Sequence, residues 1–386
     1  MILCSSRTVF VFTFLLLFCL IESKAQVAGY TGTVLTEKIQ TAVPFLLISP
    51  DARSGAMGDA GVATSPDVNS IHWNPSKIAF AISKSAISLS YTPWLQQLAP
   101  DIYMAYLSGY YKTNSRNTIG LSFKYFSMGE IELRDASSAA NGTYNPSDFS
   151  IDGTFARSFG NSLSLATTFR FIYSKIASDV LVNSQQSSAG TAFAADLSAY
   201  YKKEIQLAGK PSDLAFGINL SNIGNKLSYL NDDNKQFLPT NLKIGSALTL
   251  HPDSQNQLTL ALDFNKLLVP TPPQTDAEGN ISAGRSNDRS VASGIFGSFS
   301  DAPGSFSEEL KEISMGAGLE YLFDQKFALR TGYYYENPYK GERRYLTMGA
   351  GFKYSQLNLD FSYLLASIQR SPLANSLRFS LMYAIK

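Results

Sequence analysis

The chain of 386 residues holds few side chains able to do covalent chemistry. Its histidines are His72 and His251, and its cysteines are Cys4 and Cys19. A nucleophilic triad needs a histidine within reach of a hydroxyl or thiol and oriented by a carboxylate. Neither histidine stands in such a constellation. His72 beside Trp73 reads as structural, and His251 before Pro252 as a solvated turn residue. Two histidines so far apart make a poor zinc site. Asn231-Asp232-Asp233-Asn234 gathers oxygen ligands that could hold calcium, but the glycine and distal glutamate of a calcium-binding hand loop are missing, so it reads as a turn. Gly55-x-x-Gly58-x-x-Gly61 invites comparison with a phosphate loop, yet it matches neither nucleotide fingerprint and lacks the following Lys-Ser/Thr. No catalytic residue, metal site or cofactor site is assigned.

What must position these residues depends first on the compartment. Arg7 is followed by an apolar run from Val9 to Ile21 and then by Ser23-Lys24-Ala25, a small-x-small cleavage signature. The run is about 13 residues, short of the roughly 20 that a spanning helix needs, so residues 1–25 are expected to be a cleaved signal peptide. Both cysteines fall inside it. Cleavage would leave no thiol for a disulfide, a nucleophile or a metal.

Removing residues 1–25 takes two of the 32 basic and one of the 31 acidic side chains, leaving 30 of each. Zero net charge argues against nucleic acid as a partner. Charged residues make up only 16% of the chain and aromatics 12%, with 21 Tyr and 25 Phe against 2 Trp. Soluble chains usually carry about a quarter charged residues. An excess of Tyr and Phe suits the aromatic girdles of a membrane barrel.

From about residue 85 the hydrophobic period is 2. Ile119, Leu121, Phe123 and Tyr125 face one way, with Gly120, Ser122 and Lys124 between them. The same alternation recurs along Leu163–Tyr173, Leu258–Phe264, Met315–Phe323 and Leu357–Tyr363. Strands are expected near 85–93, 102–112, 117–128, 148–159, 162–174, 192–203, 213–223, 241–250, 257–265, 312–323, 326–336, 344–354, 356–366 and 376–385. That makes about fourteen, an even number, as bacterial single-chain barrels require. Connections alternate too: Gly160-Asn161, Asp324-Gln325 and the turn at Ser355 are tight, whereas 129–147, 175–191, 224–240 and 266–311 are long. Tight turns belong on the periplasmic side, so both termini are expected there.

The phase opposite the apolar stripe carries Lys124, Arg170, Asp196, Lys243, Asp263, Glu320, Arg330, Lys353, Asp360 and Arg378. A Lys or Arg facing lipid at mid-depth costs about 2–4 kcal/mol, so this phase must face the lumen. Mixed signs point to an ion-pair network filling the barrel rather than a one-sign pore.

Residues 26–84 do not alternate. Their run Pro50-Asp51-Ala52-Arg53-Ser54-Gly55-Ala56-Met57-Gly58-Asp59-Ala60-Gly61 is rich in small residues, and glycines permit close backbone approach. Such a segment can thread a narrow lumen, so it is expected to form a plug or hatch. The domain order is then signal peptide 1–25, plug 26–84 and transmembrane β-barrel 85–386, an all-β membrane fold.

On these residues a resemblance rests. The run from Pro50 through Ala63, then Asp67, then His72-Trp73-Asn74-Pro75 resembles the PorV/PorQ family of FadL-like outer-membrane barrels. Its specific part runs from Phe45 to Phe80, with Asp51, Arg53, Gly58, Asp59, Gly61, Asn74 and Pro75 as the matching plug motif. Ser54 stands where Ala or Gly is usual, and Ser76 where Ala is. The resemblance implies a fourteen-stranded barrel with an N-terminal hatch, embedded in outer-membrane lipid and working in the type IX secretion system of Bacteroidota. It implies a non-enzymatic role as a cargo shuttle, with three kinds of partner: the translocon barrel, the C-terminal signal domains of cargo, and a sortase-like attachment complex at the cell surface.

The loops suggest where cargo could bind. The longest, 266–311, opens with Pro270-Thr271-Pro272-Pro273 and carries Phe296, Phe299 and Phe306; loops of this length are usually functional or disordered. Exposed aromatics mark contact sites, so Phe296 and Phe299 are candidate cargo contacts, with Tyr144, Tyr229 and Phe237 on neighbouring loops behind them. The alternative is that they fold back into the barrel mouth. Two other functions stand beside this one. A FadL-like transporter of fatty acids or other hydrophobic molecules would need an apolar pocket and a lateral exit, and a barrel hydrolase would have His72 as its best residue.

Overall fold

The computed structural model describes residues 38–94, 101–134, 140–176, 181–182, 185–229, 235–366 and 376–385. The expected signal peptide 1–25, the first residues of the expected plug and the Asn231–Asn234 cluster lie outside the described residues. Before the first strand come two single-turn helices, α1 (Ala52–Gly55) and α2 (Ser70–Trp73), and two 3-10 turns, Pro44–Leu47 and Pro75–Phe80.

Fourteen antiparallel strands close into a barrel. They are β1 (Ser85–Pro93), β2 (Ile102–Lys112), β3 (Asn117–Met128), β4 (Ser147–Phe159), β5 (Leu163–Lys175), β6 (Gly190–Leu207), β7 (Lys210–Gly224), β8 (Asn241–Leu250), β9 (Gln257–Leu267), β10 (Ile313–Phe323), β11 (Phe327–Tyr335), β12 (Arg344–Tyr354), β13 (Leu357–Ala366) and β14 (Leu377–Ile385). Closure runs from Ser85 opposite Ile385 to Tyr91 opposite Phe379. The expected strand count and period are those of the structure. Every ladder is continuous except one: between β6 and β7 the register shifts at Ala195/Leu197. There Asn222, at φ 62°, bulges inward and its N–H donates to Asp196 at 2.8 Å.

The barrel is inside-out relative to a soluble core. Leu121, Phe169 and Phe193 are 67%, 69% and 68% exposed, whereas Lys124 and Arg170 are 3% and 7% exposed. Lipid is the solvent for the first set. Outward aromatics near the long-loop end form a ladder across neighbouring strands, Tyr91–Tyr103 at 5.6 Å, Tyr103–Tyr125 at 6.1 Å, Phe149–Tyr173 at 5.1 Å and Phe171–Phe193 at 5.4 Å between ring centroids. This is where an interfacial girdle belongs.

Two expectations on extent change. β6 and β7 run on to a two-residue turn at Ala208-Gly209, past the expected ends at 203 and 213. Lys202-Lys203-Glu204 hid the continuation, because ladder hydrogen bonds need no apolar side chains once the strand has left the bilayer. Within the long loop, the segment between β9 and β10 contains a small hairpin, Gln274–Thr275 with Ile281–Ala283, and helices α3 (Val291–Gly297) and α4 (Ser305–Lys311). Ser290 caps α3, accepting from Ser293 N–H at 3.3 Å.

Candidate functional site

The lumen is filled from the long-loop end. Ala42 N–H donates to the Phe237 carbonyl at 2.9 Å. Ala42, Val43, Phe45 and Leu46 pack with Ile172, Ala192, Ala194, Leu227 and Leu238 in a buried cluster. Lys38, the first described residue, therefore sits at the outer mouth. The expectation of both ends at the tight-turn side holds for β14, which ends at Ile385 opposite Ser85. The N-terminal end lies outside the described residues, and from residue 38 the plug runs the length of the lumen before β1 begins.

Asp51 organises the plug. One carboxylate oxygen caps α1 by accepting from Ser54 N–H at 3.0 Å, and the other accepts from Trp73 Nε1 at 2.6 Å. Arg53 reaches the wall: Nε and a terminal nitrogen donate to both oxygens of Glu320 at 3.0 and 2.8 Å, and it also holds Asp67 at 2.8 Å. Glu320 accepts from Arg330 at 2.6 Å, and Arg330 donates to Asp360 at 2.6 Å. A second buried network joins Arg170 to Asp152 at 2.7 Å, to Asp196 at 3.0 Å and to Asn222.

The glycines set the fit. Gly58, at φ +66°, lies so close to the wall that a Cβ would sit 2.6 Å from the Tyr333 backbone and 2.7 Å from the Ala317 carbonyl. Wall glycines Gly316 and Gly332 face it in return, and Gly318 faces Met57. Its N–H donates to Thr347 Oγ1 at 2.9 Å. Asp59 accepts from the Tyr345 hydroxyl at 2.5 Å and lies 3.6 Å from Arg378. The Gly61 and Val62 amides both donate to Asp263, at 2.7 and 2.9 Å. Asn74 donates to the Val62 and Ala199 carbonyls at 3.0 Å each, while its oxygen accepts from Ser76 ahead of buried Pro75.

All seven motif residues thus meet inside the lumen. Sequence reasoning missed their wall partners Gly316, Gly332, Thr347 and Tyr345. The signal was present, since glycine inside a strand marks a close backbone approach.

Two further plug groups are buried. Lys77 donates to the Gly61 carbonyl at 2.7 Å and to Thr64 at 3.1 Å. His72 lies with Nδ1 3.2 Å from the Lys124 ammonium. It stands edge-on to Trp73 at 5.0 Å. His251, at the other end, pairs with Asp213 at 2.8 Å.

Two of the cavities beside the plug share no lining residue. The inner one, about 730 Å³, faces the tight turns and is lined by Arg53, Asp67, Tyr110, Lys353 and Met382 among others. The outer one, about 670 Å³, lies under the long loops and is lined by Trp73, Trp94, Lys243, Asn265, Tyr334 and Arg343 among others.

Above the outer rim the long loop is bolted down by buried charge. Lys266 holds Glu309 and Glu312 at 2.8 Å each, Lys340 holds Glu308 and, at 3.2 Å, Glu312, and Thr271 Oγ1 donates to Glu312 at 2.7 Å. On this fixed base Phe296 and Phe306 are 79% and 72% exposed, with Phe299 and Leu310 also exposed. Phe306 and Leu310 share one face of α4, being four residues apart. The other three candidate contacts lean inward. Tyr144 donates its hydroxyl to the Lys175 carbonyl at 3.0 Å. Tyr229 packs on the apolar cluster with its hydroxyl 2.8 Å from Ser174, and Phe237 lies half-buried with Lys226 Nζ 4.3 Å from its ring centre.

A sequence profile described as type IX secretion system protein PorV matches residues 33–274. Among solved structures, the toluene transporter TodX of Pseudomonas putida is similar with a TM-score of 0.51 and 10% identity, over 87% of this chain and 98% of that one. The toluene transporter TbuX of Ralstonia pickettii gives 0.48 at 11% identity, over 87% and 98%. A FadL homologue of Pseudomonas aeruginosa gives 0.45 at 9%, over 91% and 100%. At such identities the likeness is one of fold. No curated protein sequence matches the chain.

Proposed function

Because the chain belongs to the PorV family of type IX secretion system proteins, we propose that this outer-membrane barrel is a non-enzymatic cargo shuttle. In this reading it binds the C-terminal signal domains of cargo at the translocon barrel and carries them to the sortase-like attachment complex. The observation that carries it is the outer platform. Phe296, Phe299, Phe306 and Leu310 are held towards water by a loop whose base is a buried ionic cluster. Large apolar side chains on a rigid, water-facing surface are what a docking face needs, since little ordering entropy is left to lose on binding.

Deleting the gene is expected to strand cargo in the periplasm with its signal domains uncleaved. Normal surface display in that strain would sink the proposal. Phe296→Ala with Phe299→Ala is expected to weaken cargo capture by tenfold or more while leaving the folded barrel intact, as hot-spot aromatics do.

Transport of fatty acids or other hydrophobic molecules is the competing reading. It draws on fold likeness alone. A lateral exit would require a break in the wall, whereas each strand is hydrogen-bonded to both neighbours with only the bulge at Ala195/Leu197.

A further inference from the structure

One row of charge stands on the lipid-facing side of the wall. On β4, Phe155, Arg157 and Phe159 share the outward phase, and Arg157 is exposed between two rings that are themselves 45% and 49% exposed. Its guanidinium lies 5.8 Å from the centre of the Phe159 ring. The residues opposite it in register are Asn117 on β3 and Leu165 on β5, and neither is an anion. Beside it, at the β2–β3 turn, stands exposed Arg116, whose carbonyl accepts from Ser158 N–H at 2.9 Å. On the other side exposed Lys203 continues the outward phase of β6 past Tyr201, which pairs with Leu163, itself opposite Phe159. Lys84, with Nζ 5.6 Å from the centre of the outward Tyr111 ring, extends the row to β1.

No acid answers this row. Segments 82–94, 102–117 and 154–165 contain neither Asp nor Glu. Among the described residues, none of the four cations has a carboxylate within 4 Å. Glu204 and Asp213 pair with each other on the opposite phase of the β6–β7 ladder, and Asp213 is held by His251 at 2.8 Å. The other flank differs. There the outward phase at the tight-turn end is apolar, with Phe323, Phe327, Phe352, Leu357 and Ile385 exposed, and the turn cation Lys326 is paired with Asp324 at 2.7 Å.

The depth of the row selects its anion. Aromatic rings at the tight-turn end mark the second interface of a membrane barrel, the level at which lipid headgroups lie. A guanidinium set between rings that face hydrocarbon is out of reach of the surface of a water-soluble protein, whereas a lipid phosphate arrives there with its own acyl chains on those rings. Phosphate oxygens also match the planar fork of arginine two at a time.

We propose that the flank formed by β1–β6 binds the phosphate of a net-anionic phospholipid in the leaflet at the tight-turn end, with Arg157 as its main ligand and Arg116 and Lys203 on either side. The inference needs only that the barrel lies in a bilayer, and it does not depend on the shuttle reading.

The purified barrel in detergent micelles is mixed with equal amounts of phosphatidylglycerol and phosphatidylethanolamine carrying the same acyl chains, and native mass spectrometry counts the lipid that each molecule retains. Wild type is expected to keep the anionic lipid at least about tenfold over the zwitterionic one, as a few cations at an anionic surface would. Changing Arg157→Gln, Arg116→Gln and Lys203→Gln together is expected to bring the two lipids within about twofold of each other, because the attraction scales with the number of cations. Lys326→Gln, on the other flank, is expected to keep the preference. Heat-modifiable gel mobility reports that each variant is a closed barrel.

Equal retention of the two lipids by wild type overturns the proposal with no variant needed. So does a preference that survives in the triple variant, or one that Lys326→Gln abolishes as completely. Capture of polyglutamate by wild type, lost in the triple variant and without any preference between the lipids, would assign the row to an acidic protein instead.

Discussion

Gly58→Ala isolates the contact that seats the plug. The new Cβ brings two costs. A non-glycine residue at φ +66° is strained by about 1–2 kcal/mol. The Cβ would also stand 2.6 Å from the Tyr333 backbone and 2.7 Å from the Ala317 carbonyl, atoms fixed in the ladder, and overpacking of this kind costs about 1–3 kcal/mol. Gly160→Ala supplies the control. Gly160 has φ +70° in a tight turn, and a Cβ there meets nothing within 4 Å, so only the strain remains. Gly160 lies in a barrel turn away from the plug, so both costs of Gly58→Ala fall on docking alone: at least about 2 kcal/mol, roughly thirtyfold in the docking equilibrium of the plug. The assay is limited trypsinolysis of the folded barrel, following cleavage after Arg53 and Lys77, with heat-modifiable gel mobility reporting that the fourteen strands remain closed. Gly58→Ala is expected to be cut about thirtyfold faster than Gly160→Ala, by the same conversion. Equal rates would refute the reasoning that close backbone approach holds the plug.

Arg170→Met should lower stability by about 3–5 kcal/mol by leaving Asp152 and Asp196 buried without their cation, read as a lower urea midpoint; adding Asp152→Asn and Asp196→Asn should restore most of it.

The barrel was legible in the sequence because lipid outside and ions inside impose a strict period of 2, as along Ile119–Tyr125. The charges on the opposite phase were legible for the same reason, and Arg170, Glu320 and Arg330 do pair in the lumen. Strand ends were less so, since Lys202-Lys203-Glu204 continues a ladder without continuing the pattern. The plug motif could be singled out by its small residues, but not what it touches. The approach of Gly58 to Gly332 spans 274 positions, and no local rule couples them. The helices of the long loop went unread for another reason: α3 and α4 are each a seven-residue element too short for a long amphipathic stripe, and α4 is held by distant partners, Glu309 on Lys266 and Glu308 on Lys340.

The most direct test of the account is photo-crosslinking in living cells, with a benzophenone amino acid placed at Phe296 or Phe299 and, as control, at Lys353 in the inner cavity. Mass spectrometry of the adducts is expected to find C-terminal signal domains of cargo joined to the two outer positions and absent from Lys353. Cargo adducts at Lys353 alone, or none at either outer position while secretion proceeds, would contradict it.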